Sequence, residues 1–310
     1  MAARIAVLGW IHMDLVVRAA RLPEAGDTVI GEELFVVPGG KGANRAVAAA
    51  RLGGEVDLIG RAGDDGWGRE LRTVLSAEGV GLSRVAVSKE DPTGASLVTL
   101  LPDGRSATMV AHGANSGLKR EDVGAAAELV AAADVFVCHL GLPEEVSAEA
   151  LSLARRAGTR TLLHAEPRQE LSPEQLDEVD VLIASERGGA RLLGQEDDDL
   201  APRSLARRLH ALGVGRVVVW QADGGGLSFD GETFLEERGI ARERIDTTAA
   251  ASAFAAALAV AIGEEQRAAD GLRFACAAAA LAAATEGALP SLPTREAVSA
   301  LIEGERPDKG

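Results

Sequence analysis

Aromatic side chains are scarce in this chain of 310 residues: there is no tyrosine, and aromatics make up 3%. A core with so few rings has to be aliphatic, and the 47% hydrophobic content, rich in alanine, is ample to fill one. Cysteine is equally sparse. Cys138 and Cys276 are too few for a disulfide framework or a zinc site, and they fit a reducing compartment. Basic residues are outnumbered 32 to 47, for a net charge of −15. That sign disfavours polyanions, because phosphate neutralisation dominates nucleic-acid affinity, so no nucleic-acid partner is expected. Long apolar runs are also missing. The Ala-rich stretches 249–262 and 274–285 fall short of the ~20 strongly apolar residues of a membrane span. They read as buried helices, and no membrane partner is expected. Met1–Gly9 lacks the apolar run of a signal peptide and reads as a short strand, so a cytoplasmic protein is expected.

What is present is an alternation of two periodicities. Strand-like runs lie at 4–9, 56–60, 134–139, 160–164, 180–184, 216–220 and 226–229. Helical periodicity lies at 42–52, 68–78, 146–156, 187–193, 202–211, 249–262, 270–285 and 295–302. Such alternation predicts an α/β fold, a mostly parallel sheet with helices on both faces. Segments 14–38 and 93–111 alternate like strands without helices between them, and the clusters at 102–105 and 195–199 read as loop tips. No repeat or linker divides the chain, so a single domain over residues 1–310 is expected.

Two glycine clusters carry the chemistry. Pro38-Gly39-Gly40-Lys41-Gly42-Ala43-Asn44-Arg45-Ala46-Val47 runs into Ala48-Ala49-Ala50-Arg51-Leu52-Gly53, and Ile59-Gly60-Arg61-Ala62-Gly63-Asp64-Asp65-Gly66-Trp67-Gly68 follows. The spacing is not that of a Walker P-loop. With Gly113-Ala114-Asn115, these segments resemble the first signature of the ribokinase-like (PfkB-type) sugar kinases, and the resemblance extends from Arg4 to Pro290-Ser291-Leu292-Pro293-Thr294. It implies a three-layer α/β/α fold in which 14–38 and 93–111 form a small β-lid over a sugar, often also the contact of a homodimer. In that family ATP and Mg²⁺ are the cofactors.

The second signature of that family, normally Asp-Thr-Thr-Gly-Ala-Gly-Asp-x-Phe, is resembled by Asp246-Thr247-Thr248-Ala249-Ala250-Ala251-Ser252-Ala253-Phe254. In the family the glycine turn opens a helix whose amides hold the transferring phosphate, and the following Asp takes the proton from the sugar hydroxyl. Here the anion-hole positions read Ala249, Ala250 and Ala251, and the base position reads Ser252. Glycine alone crowds a phosphate at φ > 0 without steric penalty, and an unperturbed serine is no general base near neutral pH. Read alone, the segment is also an ordinary Ala-rich helix start. Asp246 and Thr248 resemble the family's monovalent-cation site, here vestigial.

In open parallel sheets ligands bind beyond the C-terminal strand ends, and these ends have changed too. After the first strand, Trp10 stands where the family has a small residue and His12 where it has Asn, while the sugar-binding Asp14 is kept. Gly40, Lys41 and Asn44 complete the substrate-binding set that the resemblance implies. Further along, Gly141 replaces a sugar-binding Glu, His139 a Gln and His164 an Asn. Gly188 replaces a Glu that steadies metal and phosphate, and Trp220 stands at the family's nucleotide channel with bulk enough to block it.

Three readings follow. The favoured one is a family homologue that binds a sugar-like or nucleoside-like small molecule and has lost ATP-dependent phosphotransfer, with nucleotide binding weak or absent. The second is ATP-independent chemistry from a cleft of His12, His139, His164 and Glu166 beside Asp14, acting as a metal site or an acid–base pair. The bland alternative is that each imidazole simply hydrogen-bonds a neighbour or a ligand hydroxyl; no compact His-x-x-x-His spacing is present. The third is a residually active sugar kinase with Asp14 or His12 as substitute base. His112 is expected to reach the same cleft, and His210 reads as an ordinary helix-surface residue.

Overall fold

A computed structural model describes residues 1–102, 105–165, 172–195 and 200–305. The chain begins β1 (Arg4–Leu8), β2 (His12–Arg18), β3 (Leu34–Gly39), α1 (Lys41–Arg51), β4 (Glu55–Gly63), α2 (Gly66–Ala77) and β5 (Gly81–Ser88). It continues with β6 (Gly94–Leu100), β7 (Ser106–Ala111), α3 (Arg120–Ala125), α4 (Ala127–Ala132), β8 (Val135–His139), α5 (Glu144–Ala157) and β9 (Arg160–His164). Next come α6 (Pro173–Leu176), β10 (Val181–Ser185), α7 (Glu186–Leu192), α8 (Pro202–His210), β11 (Arg216–Trp220), β12 (Gly226–Phe229) and β13 (Phe234–Glu237). The Ala-rich pair α9 (Ala250–Gly263) and α10 (Ala268–Ala283) leads to α11 (Arg295–Gly304).

The main sheet runs β13-β12-β11-β10-β9-β8-β1-β4-β5, parallel from β5 to β11 and antiparallel at β12 and β13. Alternation along β1 sends Ile5 and Val7 into one apolar layer and Ala6 and Leu8 into the other. The first layer is closed by α1, α9 and α10, the second by α4, α5 and α8, which gives the expected three-layer α/β/α architecture. Alanines let α9 sit buried against α1 and α10 at once. None of the described helices is long and apolar enough to cross a membrane. Cys138 and Cys276 are both free and buried, and burial pushes each thiol up to about 12.

The segments around 14–38 and 93–111 form a separate four-stranded sheet of order β3-β2-β6-β7, with β2 and β6 parallel. Strands β5 and β13 and helices α3, α4 and α6 were not legible in the sequence. The two strands are the outer edges of the main sheet, where one-sided burial leaves only weak alternation. The three helices span six, six and four residues, too few for a clear period.

One carboxylate fastens the lid to the sheet. Asp65 caps α2 by accepting from the Gly68 amide at 2.7 Å, and it also accepts from the amide and hydroxyl of Thr93 at 2.7 Å each, where the chain enters β6. Burial pulls this carboxyl upward, but the bonds from Thr93 and Gly68, with Arg69 nearby, outweigh it and hold it below its ordinary value. We expect Asp65→Ala to destabilise the protein by about 1–3 kcal/mol at neutral pH, measured by urea denaturation. A depressed folded-state value means the contribution is full above the unfolded-state pKa and lost as pH falls through the folded one. The wild type and the variant should therefore converge in acid.

Candidate active site

The cleft lies between the lid and the C-terminal ends of β1, β8 and β9. After β1 the chain turns at Trp10, whose carbonyl accepts from the Gly42 and Ala43 amides at 3.0 and 3.2 Å. Gly40, at φ 100°, precedes Lys41, the first residue of α1, and Asn44 lies buried in its first turn. The turn brings Gly39 so close to Asp14 that an added Cβ would lie 2.0 Å from its Oδ2. Asp14 is 4% exposed and accepts a short hydrogen bond from the Ser96 hydroxyl. The His12 Nδ1 lies 3.0 Å from the same Oδ1, within ion-pair reach but out of line for a hydrogen bond. Asn115 closes the far side: its side chain accepts from the Ile11 amide at 2.9 Å and donates to the carbonyls of Ile11 and His112. His12, Asp14, Gly40, Lys41 and Asn44 therefore do come together around one turn.

The other histidines are spoken for. His139 is fully buried; its Nδ1 donates to the Leu140 carbonyl at 2.5 Å and its Nε2 accepts from the Trp10 amide at 3.4 Å. His164 Nδ1 accepts from the guanidinium of Arg45, itself 1% exposed, at 2.7 Å. Burial, then the charges of Arg45 and Lys41, hold both imidazoles well below their ordinary value of 6.5, against the smaller opposing pull of the Leu140 bond on His139. His112 is lowered by burial and then by His12. Among the described residues no group of three or more His, Cys, Asp or Glu could hold a metal ion. The metal version of the histidine cleft thus finds no support there; Glu166 lies outside the described residues. His210 is not a plain surface residue: its ring meets Phe229 edge-on at 5.3 Å.

The second half of the cleft is built on the start of α9. Asp246 Oδ1 accepts from the amide and hydroxyl of Thr248 at 2.9 and 2.5 Å, and its Oδ2 accepts from the Gly287 amide at 3.0 Å. Both carboxylate oxygens thus tie the turn before α9 to its surroundings. Ala249 occupies the N-cap at φ −96°, so the turn avoids the left-handed region that alanine resists. Ala249 and Ala250 are wholly buried, Ala251 is partly exposed, and Ser252 is 5% exposed in the first turn.

Beside this turn lies a cavity of about 500 Å³, lined in part by Arg187, Trp220, Arg242, Arg244, Thr247 and Ala250. Trp220 is one of the residues lining this cavity, and its ring stands beside that of Phe254, with centroids 6.2 Å apart. Arg244 is anchored on the Ala222 carbonyl at 2.7 Å, and Gly188 donates its amide to the Ser185 hydroxyl at the α7 cap. Sequence reasoning missed Ser96, Asn115 and Arg45 as site-building groups. Ser96 becomes visible only through the β2–β6 register, which sets it opposite Asp14.

The profile of the pfkB family carbohydrate kinases matches residues 2–295. The chain is 30% identical over 305 residues to the ribokinase of Haemophilus influenzae, covering 98% of this chain and 99% of that one. It is 32% identical over 298 residues to the ribokinase of Bacillus subtilis, covering 96% and 99%. In three dimensions it is similar to Arabidopsis thaliana ribokinase complexed with ribose and ATP, with a TM-score of 0.87, 30% identity, and 98% and 99% coverage.

Because His139 and His164 are neutral when folded and must take up protons on unfolding in mild acid, stability is full above the unfolded-state value and falls as pH drops below it. We expect His139→Gln to make the decline between roughly pH 7 and 5 shallower by about one proton, read from denaturation midpoints across pH.

Proposed function

The chain belongs to the pfkB family of carbohydrate kinases, and from that premise we propose that it binds a sugar-like or nucleoside-like small molecule under the lid and has lost most of its phosphotransfer. The observation that carries this reading is the start of α9, where Ser252 stands at the family's base position behind the alanine turn 249–251. Loss of a general base slows such a step roughly 10²–10⁴-fold, and a weakened anion hole adds to that. The floor of the cleft still presents Asp14, a carboxylate suited to hydroxyl groups, beside the buried amide of Asn44.

Residual kinase activity is the second reading, favoured by the open 500 Å³ cavity and its arginines beside Thr247. A nucleotide would be held there by side-chain cations and would lack the glycine cradle. Chemistry by a histidine cluster is disfavoured, since His139 and His164 are committed to the Leu140 carbonyl, the Trp10 amide and Arg45. His12 beside Asp14 is the acid–base pair left to it.

Calorimetry with ATP–Mg²⁺ and with a panel of pentoses, hexoses and nucleosides, followed by a coupled ADP assay, tests this. We expect ligand binding with negligible ADP release, and no recovered turnover in the triple variant Ala249→Gly, Ala251→Gly and Ser252→Asp, because Trp220 and Gly188 remain. Ordinary turnover by the wild type would overturn the reading.

The lid also offers a surface for a second copy. Register places Val36, Leu15, Leu97 and Met109 in one row across β3, β2, β6 and β7, and Val36, Leu97 and Met109 are 44%, 51% and 69% exposed. An apolar row of this kind suits the self-complementary contact of a two-fold dimer. Light scattering should find a dimer in the wild type and a monomer in Met109→Glu; a monomeric wild type at high concentration would sink the proposal.

A further inference from the structure

The residue with the least conventional surroundings in the cleft is Trp10. Its backbone is held on both sides, by the bonds from Gly42 and Ala43 to its carbonyl and by the bond from its amide to His139. Its indole is then walled by three neighbours. The His112 ring lies 4.5 Å away at 60°, and the His139 ring 4.8 Å away, edge-on at 80°. The third neighbour is Gly141, just beyond β8, at φ 95°; a Cβ there would come within 2.9 Å of the indole Cη2 and 3.1 Å of Cζ2. Position 141 is thus confined to glycine twice over, by its backbone and by the ring beside it.

The consequence is chemical as well as steric. Side-chain volume at this end of the cleft comes from the turn after β1, as an indole, and none comes from residue 141. An aromatic wall stands where a hydrogen-bonding side chain could otherwise project. His112 extends that wall from the lid and is held neutral by burial, so it adds a flat ring and no charge. The indole remains partly exposed despite its three neighbours. The strand and the helix that flank this turn carry Asp14, on β2, and Asn44, in the first turn of α1, a polar set for hydroxyl groups.

We propose that Trp10, with His112 and Gly141, is the specificity-determining element of this cleft and selects a nucleoside, a hydroxylated ring carrying an aromatic base, over a free sugar. The hydroxyls face Asp14 and Asn44, and the base lies on the indole. Stacking suits this role because every base has a π-face, and a polar-only site would gain nothing from it. The inference rests on the reading that the cleft under the lid binds a small molecule.

The test is calorimetric titration of the full chain and of Trp10→Ala and Trp10→Phe with adenosine, guanosine, cytidine, ribose and glucose. Indole emission is followed in parallel against the remaining Trp67 and Trp220. The expected result is binding of at least one nucleoside, weakened about 10- to 100-fold in Trp10→Ala and largely restored in Trp10→Phe. Ribose should bind weakly and indifferently to these changes. Quenching of emission by the nucleoside should disappear in Trp10→Phe, which keeps the test decisive even if Trp10→Ala fails to fold. Ribose or glucose binding as tightly as any nucleoside, with no loss in Trp10→Ala, would overturn the assignment while leaving the ligand-binding reading intact. Silence of the folded wild type towards all five probes would overturn both.

Discussion

Two amides at the start of α1 donate to a single carbonyl, that of Trp10, and most of the cleft depends on that joint. It fixes the end of β1 against α1 at the point where the chain leaves the main sheet for the lid. A Cβ at residue 40 would stand 2.5 Å from that carbonyl, so the first glycine signature is a packing condition of the joint whatever chemistry follows. Asp14 and Asn44 inherit their positions from it. Asn115 and Asp65 supply the two further ties, one to residue 11 and one to Thr93, and between them the lid is hung on three short hydrogen-bonded joints.

The electrostatics of the floor follow from burial more than from the number of charges. An almost fully buried guanidinium, that of Arg45, sits beside imidazoles that cannot afford a second positive charge in low dielectric. They stay neutral and serve as hydrogen-bonding spacers, one holding backbone groups and the other accepting from the arginine. Imidazoles in that state position the walls of a site. They do not give it a proton store near neutral pH.

Much of this was legible in the sequence because it is written in periodicity and in glycine. Seven strands, eight helices and both lid segments were marked by their repeats, and the turn at 38–42 by its composition. Direction was not legible. Trp220 announces bulk at a strand end, yet only the packing shows that its ring stands beside Phe254 on the wall of a cavity. His139 and His164 announce ionisable groups at strand ends, but their partners, a carbonyl and a guanidinium, come from tertiary packing. Ser96 carries no motif at all and matters because parallel pairing sets it opposite Asp14. Edge strands and one-turn helices escaped because they lack a full period of buried residues.

The two cysteines lead somewhere different. With both thiols buried and raised to about 12, very little of either is present as the thiolate near neutral pH, the form that reacts with oxidants and alkylating reagents. Cys138 belongs to one apolar layer of the sheet and Cys276 to the other. Their modification therefore requires the packing around each to open, so the two thiols report on exposure of the two faces of the sheet.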